Sequence, residues 1–248
     1  GIPFARNTGI KHSNGRYIAF LDQDDLWLPE KLEKQIAILA QGPSNLGLVF
    51  GDIVTASKDG RSLQTSVVPK NINLLPTRSV LKLLFLNNFI PLITVLVKRE
   101  CVDTIGLLDE HIKGGADDYE WCLLLAAKYR IHYINITLAI HRLHEFNYSN
   151  EEKFCHDELA IIGKLVVQEP FLAPLVPKKL GILHYRLGRF YQNSGQFPKA
   201  RTNLWKAVRY RPSHVKSLLV LLLCCLGHLG NGWLQVYRFM KERMRLSS

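Results

Sequence analysis

Three groups of side chains in this sequence have the types and spacing to do chemistry. The first is Asp22-Gln23-Asp24-Asp25, at the end of the β-rich apolar run YIAFLD (17–22). If the extended backbone continues to Asp24, the Asp22 and Asp24 side chains project to the same side. Two carboxylates so placed repel each other unless a cation or hydrogen-bond donors offset their charge. Their oxygens suit a hard divalent cation, Mg²⁺ or Mn²⁺, of the kind that also holds substrate phosphates. The second group is Asp117-Asp118-Tyr119-Glu120, which opens a helical stretch. Crowded acids raise one another's pKa towards the range of a useful base. The third is Ile140-His141-Arg142-Leu143-His144, followed by Asn147 and Ser149. Arg offers a planar fork for phosphate oxygens, and neutral His can bind a metal. Each group also has a plainer reading. The first is equally a solvated turn before a helix, and the second equally a set of acids stabilised by a helix dipole.

The elements that must position these residues alternate along the first 150 residues. Strands are expected at 17–22, 46–54, 93–99 and 131–136. Helices are expected from Pro29 to about Ala40, from Ser79 to Asn87 and from Asp117 to Tyr129. Alternation of this kind predicts an α/β fold, a mixed sheet with flanking helices and crossover connections. Carboxylates at the carboxyl end of a strand then lie where open α/β sheets bind their ligands. Trp27 and Trp121 flank the acidic groups; packing explains Trp27 at least as well as sugar contact does, and core packing is favoured for Trp121.

Composition narrows the classes. The chain has 248 residues, 47% hydrophobic and 21% charged, which excludes disordered and low-complexity proteins. Its five cysteines form no C-x-x-C pair, so neither a disulfide scaffold nor a thiolate zinc site is expected. No signal peptide is visible, and the expected location is cytoplasmic. The net charge of +11 is unevenly spread. Residues 1–150 hold 16 Lys+Arg against 15 Asp+Glu, whereas residues 151–248 hold 16 against 6, with no acid between Glu169 and Glu242. A basic module of this kind favours an anionic surface as partner, the plainer alternative being a solvated basic face.

The stretch ARNTGIKHSNGRYIAFLDQDDLWLPEKLEKQ (5–35) resembles the middle of family 2 glycosyltransferases of the GT-A fold. That family shows A-R-N-x-G, then G-x-Y-I-x-F-L-D-x-D-D, then W-x-P-x-K-L. The stretch CVDTIGLLDEHIKGGADDYEWCLLLAAKYRIHYI (101–134) resembles its second signature, with Gly106, Asp109 and Glu110 in place, Leu108 where Phe is usual, and Asp117 in place of Glu. The resemblance implies an inverting transfer of a sugar from a nucleotide-diphosphate-sugar donor to a hydroxyl acceptor, saccharide or lipid-linked, in cell-surface polysaccharide or glycolipid synthesis. It implies Asp118 as catalytic base, and Asp22 and Asp24 as ligands of the divalent ion on the donor diphosphate. Arg142 and His144 would face the diphosphate or the metal, with Arg6 and Asn7 in a turn near the nucleotide. Nothing matches the family's opening strand and P-x-[YF]-N turn. The expectation is therefore an N-terminally truncated catalytic domain over 1–150, with an incomplete nucleotide-binding half and poor nucleotide binding and activity by this polypeptide alone, the intact parent protein being the active form.

Residues 151–248 are expected to be a basic helical module. HYRLGRFYQNSGQFPKARTNLWKAVRYRPSH (184–214) resembles one tetratricopeptide repeat, with Leu187, Gly188 and Tyr191 on one helix and Ala200, Leu204 and Ala207 on the next. One repeat cannot bury its own apolar face, so it must pack on neighbouring helices or on the catalytic domain. Pro170, Pro174 and Pro177 suggest a linker. LLVLLLCCL (218–226) is too short to span a bilayer and reads as a buried or interfacial helix. Peripheral contact with the inner face of the cell membrane is the expected use of the basic surface. The rival from another class is a helical protein-interaction module on a degenerate, non-catalytic scaffold. A phosphotransferase with an Asp nucleophile would need a Thr or Val after the second Asp, where Asp25, Leu26 and Trp27 stand. Arg186, Arg189, Arg201, Arg209 and Arg211 alternate with aromatics, but no nucleic-acid motif appears and no nucleic-acid partner is expected.

Overall fold

The structure is a computed structural model that describes residues 1–56, 62–64 (backbone only), 68–143 and 151–225. The chain divides into two compact units, Gly1–Ser149 and Asn150–Ser248.

The first unit is a mixed sheet flanked by helices. Helix α1 (Ile2–His12) precedes β1 (Tyr17–Ala19) and β2 (Leu26–Trp27). Then come α2 (Lys31–Gln41), β3 (Leu46–Ala56), β4 (Ser62–Gln64), α3 (Thr77–Leu86), β5 (Leu96–Lys98), α4 (Arg99–Ile105), α5 (Asp117–Lys128) and β6 (Arg130–Arg142). The strand order is β1-β5-β3-β6-β2, with β4 paired to β3. Among the described residues only β3 and β6 run parallel; the other pairs are antiparallel. The parallel pair requires a crossover, which the chain makes through α3, α4 and α5. The mixed α/β sheet expected from the alternating pattern is present.

Apolar periodicity accounts for the packing. On α3, Val80, Leu81, Leu84 and Phe85 are buried, and α3 packs against α5, where Trp121, Cys122 and Leu125 are buried. The Tyr119 hydroxyl donates to the carbonyls of Leu84 and Phe85 (3.2 and 2.7 Å), tying the start of α5 to the end of α3. Leu39 of α2 packs with Leu46, Val49 and Leu96 of the sheet. Beneath it lies a buried cation. Lys31 Nζ donates to Gln35 Oε1 (2.8 Å) and to the Val95 carbonyl (3.3 Å), and stands 4.4 Å from the Trp27 ring centre. Burial pulls its pKa down to about 8. Trp27 donates to the Ile93 carbonyl (3.0 Å) and Trp121 to that of Gly106 (3.2 Å), so both rings are held by packing.

Several boundaries differ from expectation. The first strand stops at Ala19, not Asp22. Segment 93–99 begins as a 3-10 turn (Leu92–Thr94) after Pro91, leaving only Leu96–Lys98 as strand. The last strand runs to Arg142 with register shifts where β6 carries extra residues between Ile134 and Ala139, opposite Gly51 to Ile53 of β3. Residues Ala5-Arg6-Asn7 lie in a helix, not a turn.

The second unit is helical. It contains α6 (Glu151–Gln168), a 3-10 turn Pro170–Leu175, α7 (Val176–Asn193), α8 (Phe197–Tyr210) and α9 (Val215–Cys225). The proline segment is therefore not an extended linker: Pro170 and Pro177 each sit in a helical first turn, where the missing N–H costs nothing. Helix α6 packs on α7, α7 on α8 and α8 on α9. Gly195 turns the chain between α7 and α8 at φ +71°, a conformation that favours glycine. Between α6 and α7, buried Glu158 accepts from both Lys179 and Arg186, and Arg186 Nε reaches Glu151 (2.7 Å). The α7–α8 contact is close at Gly188, where a Cβ would meet Leu204 Cγ at 2.6 Å. Gly188→Val is expected to cost about 1–3 kcal/mol by overpacking. Urea unfolding followed by far-ultraviolet circular dichroism checks it; an unchanged midpoint would contradict this close contact.

Candidate active site

The first unit carries a cleft of about 1080 Å³. Its walls come from four places: α1 (Arg6, Gly9), the end of β1 and the segment after it (Phe20 to Asp24), the start of α5 (Asp117, Asp118), and the end of β6 (His141). Two acidic groups separated by nearly a hundred positions thus open into one space.

The D-x-D-D segment is a turn rather than continued strand. The Asp25 N–H donates to the Asp22 carbonyl (3.1 Å) and closes the bend. Asp22 and Asp24 line the cleft by this turn, not by the two-residue period of an extended chain. Asp25 has a different position. Its side chain is buried, and its Oδ1 accepts the Arg142 backbone N–H (3.1 Å) and lies 3.0 Å from His141 Nδ1. Arg142 Nε in turn donates to the Asp24 carbonyl. The end of β6 therefore clamps the acidic turn, and Asp25 holds the ring of His141, which lines the cleft. Asp25→Ala leaves an N–H and a ring nitrogen without their acceptor, at an expected cost of about 1–3 kcal/mol. Asp25→Asn keeps an acceptor oxygen and should lose less. Thermal unfolding of the two variants distinguishes them, and equal melting points would count against the clamp.

The opposite wall rests on α1. Asn7, nearly fully buried, exchanges two 2.9 Å hydrogen bonds with the Leu108 backbone and donates to Glu110 Oε1 (2.9 Å). It is absent from the cleft wall; its amide ties α1 to the segment that leads into α5. Arg6, one residue earlier, faces the acids. Its Nη1 donates to Asp117 Oδ2 (2.8 Å), and its Nη2 lies 3.5 Å from Asp22 Oδ1. Burial works against its charge, but Asp117, Asp118 and Asp22 outweigh that and raise its pKa. Just before α5, Gly115 lines the cleft at φ +97°, so a side chain there would be strained.

Asp117 and Asp118 are adjacent yet differently placed. Asp117 is almost wholly buried and locked by Arg6. Asp118 is partly exposed as a residue, but its Oδ1 is shut from solvent and has no hydrogen-bond partner. Burial raises its pKa from the ordinary 3.8 to about 7; Asp117 and Asp22 add to the rise, while Arg6 and the Tyr119 N–H oppose it. A carboxylate with a midpoint near neutrality, beside a cleft, is suited to take a proton.

Sequence reasoning placed Arg6, Asp22, Asp24 and Asp118 as site residues, and all four line the cleft. It placed Asn7 and Arg142 there too, but these side chains anchor the walls. His144 lies outside the described residues. Asp25 and His141 were not singled out. The third acid of D-x-D-D was the available signal, but its partner is 116 positions away.

Two carboxylates and no preformed cage suit a hard cation that brings other ligands with it. Among the described residues no group of three or more His, Cys, Asp or Glu stands ready to hold a metal. The oxygens of Asp22 and Asp24 fit a hard cation that brings further ligands of its own.

Residues 1–91 match the sequence profile of glycosyl transferase family 2. The resemblance drawn from the motifs therefore holds over those residues, and the unit around them has the mixed sheet of a GT-A-like fold. The chain is 30% identical over 125 residues to the Escherichia coli UDP-Glc:alpha-D-GlcNAc-diphosphoundecaprenol beta-1,3-glucosyltransferase WfgD, covering 50% of this chain and 44% of that protein. It is also 30% identical over 125 residues to the amylovoran biosynthesis glycosyltransferase AmsB of Erwinia amylovora, covering 48% of this chain and 39% of that protein. The chain thus spans less than half the length of either relative. Among solved structures, the mannosyltransferase PcManGT from Pyrobaculum calidifontis, in complex with GDP-Man and Mn²⁺, aligns with a TM-score of 0.50 at 17% identity, over 94% of this chain and 62% of that one. That likeness is one of fold.

Proposed function

We propose that the protein is an inverting glycosyltransferase that moves a sugar from a nucleotide-diphosphate-sugar donor to a hydroxyl of a saccharide or lipid-linked saccharide. The setting would be cell-surface polysaccharide or glycolipid synthesis at the cytoplasmic face of the membrane. The observation that carries this reading is the single cleft shared by Asp22, Asp24 and Asp118. The reading is supported by the relatives' names, WfgD as a UDP-Glc:alpha-D-GlcNAc-diphosphoundecaprenol glucosyltransferase and AmsB as a glycosyltransferase of amylovoran biosynthesis, and by the solved mannosyltransferase in complex with GDP-Man and Mn²⁺.

Asp22 and Asp24 would hold Mg²⁺ or Mn²⁺ against the donor diphosphate. When bound, the cation supplies Lewis-acid stabilisation of the departing nucleoside diphosphate. Arg6 keeps Asp117 neutralised, so the proton-accepting role falls to Asp118. As the acceptor oxygen bonds to the anomeric carbon, its proton passes to Asp118. The bond from that carbon to the diphosphate oxygen breaks on the opposite face, and its electron pair leaves with the nucleotide. His141, held by Asp25, stands on the wall next to the acidic turn.

The test is a donor panel of UDP- and GDP-sugars with Mn²⁺, read by NMR for the anomeric configuration of the product. Inversion supports the proposal; retention, or donor hydrolysis without transfer to any hydroxyl acceptor, would overturn it.

A further inference from the structure

In the second unit, the periodicity of α9 splits its residues between two faces. Ser217, Val220 and Cys224 are buried, on the side where α9 packs on α8. Val215, Leu218, Leu219 and Leu222 are 62%, 45%, 53% and 56% exposed, at the i, i+3, i+4, i+7 spacing of one helical stripe. Cys225, also exposed, continues that stripe. Four branched apolar side chains in a row along about two turns of helix form a patch rather than scattered surface residues. Exposed cations lie on α8 and α9. Lys216 interrupts α9, and Lys206 and Arg209 are exposed on α8, with the Arg209 guanidinium 5.6 Å from the exposed Trp205 ring. From Pro170 to Lys241 the sequence holds 12 Lys+Arg and no acid.

We infer that the exposed stripe of α9 is a membrane-docking surface whose partner is an anionic lipid bilayer. The apolar stripe would enter the boundary between headgroups and acyl chains, and the cations around it would meet the lipid phosphates. Charge selects this partner. The 72 residues without a carboxylate (positions 170 to 241) suit an anionic surface, because each acid near one would weaken binding, and the exposed apolar stripe beside them suits a lipid one. Among the described residues no helix is long and apolar enough to span a membrane. The inference does not depend on glycosyl transfer, and its test reads no activity.

The test uses the full chain. It is mixed with vesicles of phosphatidylglycerol and phosphatidylcholine, or of phosphatidylcholine alone, and bound protein is separated by flotation. The expected result is binding to the anionic vesicles that weakens as salt rises, because the charge component is screened. The double variant Leu219→Glu/Leu222→Glu should reduce binding at least about tenfold, since it removes two inserting side chains and adds repelling charge. Both positions are exposed, so circular dichroism should be unchanged. A second variant, Lys206→Glu/Arg209→Glu/Lys216→Glu, should remove the preference for anionic lipid. A polarity-sensitive maleimide dye on Cys225 should shift to the blue on binding. No flotation with anionic vesicles would overturn the inference. So would binding that the leucine substitutions leave unchanged. A dimer in light scattering that those substitutions dissociate would assign the stripe to a second copy. A Cys225 dye already in an apolar setting before vesicles are added would assign it to residues 226–248 of the same chain.

Discussion

Asp118→Asn lowers the rate of sugar transfer by about 10²–10⁴-fold, the scale of a lost general base, and at the same time stabilises the folded protein near neutral pH. The first effect follows from chemistry: an amide cannot take the acceptor's proton. The second follows from linkage. The folded protein holds the Asp118 proton more tightly than the unfolded chain does, because burial raises the pKa from 3.8 to about 7. This group's contribution to stability is complete below about pH 4, the unfolded value, and is lost as pH rises to about 7. Above that the wild type carries a buried charge with an unpaired oxygen, and the neutral, isosteric Asn does not. The melting temperature of the variant should exceed that of the wild type by a margin that widens from pH 4 to pH 7 and then stays level. At pH 8 the difference should be on the order of 2–4 kcal/mol. Wild-type kcat/KM should rise with pH through a midpoint near 7. A variant that is inactive but no more stable at pH 8 than at pH 4 would remove the basis for calling Asp118 the base.

Asp24→Asn has the second-largest expected effect: kcat/KM falls about a hundredfold or more, the scale of several kcal/mol of lost cation-mediated stabilisation. Residual activity should respond little to Mn²⁺, and donor binding measured by calorimetry should lose its dependence on the metal. Asp25→Asn is the contrast. It adjoins Asp24 in sequence, yet its carboxylate is turned to the end of β6 and bonded to the Arg142 backbone. Its Mn²⁺ requirement should persist. Equal loss of metal dependence in both variants would mean that the turn acts as one unit and that Asp24 has no separate role. Mn²⁺ alone should bind the protein weakly, because among the described residues no group of three or more His, Cys, Asp or Glu stands ready to hold it and Asp22 already faces Arg6.

Local signals in the sequence were reliable where the forces are local. The Pro and Glu residues at its start and the apolar period place α2, and the acidic opening and apolar interior place α5. Gly195 ends α7 where a positive φ is needed. Signals failed where tertiary contacts prevail. Helix α1 has Gly9, Asn7 and Thr8 in its interior, a poor helix sequence, and is held by Asn7 bonding across 101 positions to Leu108. The first strand ends early because the turn at Asp22–Asp25 is clamped from β6, a partner no local window contains.

By itself the sequence determined which residues could do chemistry. Carboxylates at that spacing can hold a hard cation or move a proton whatever surrounds them, and the family resemblance rests on those same positions. It also determined the split between a neutral α/β half and a basic helical half, since charge and periodicity are sums over residues. Only the tertiary structure decided how the roles divide within each acidic group. Asp117 and Asp118 are neighbours with the same side chain, but Arg6 neutralises the first and burial raises the pKa of the second. Asp24 faces the cleft and Asp25 the strand behind it. A pKa and a partner are properties of an environment, and that environment is assembled from segments a hundred residues apart.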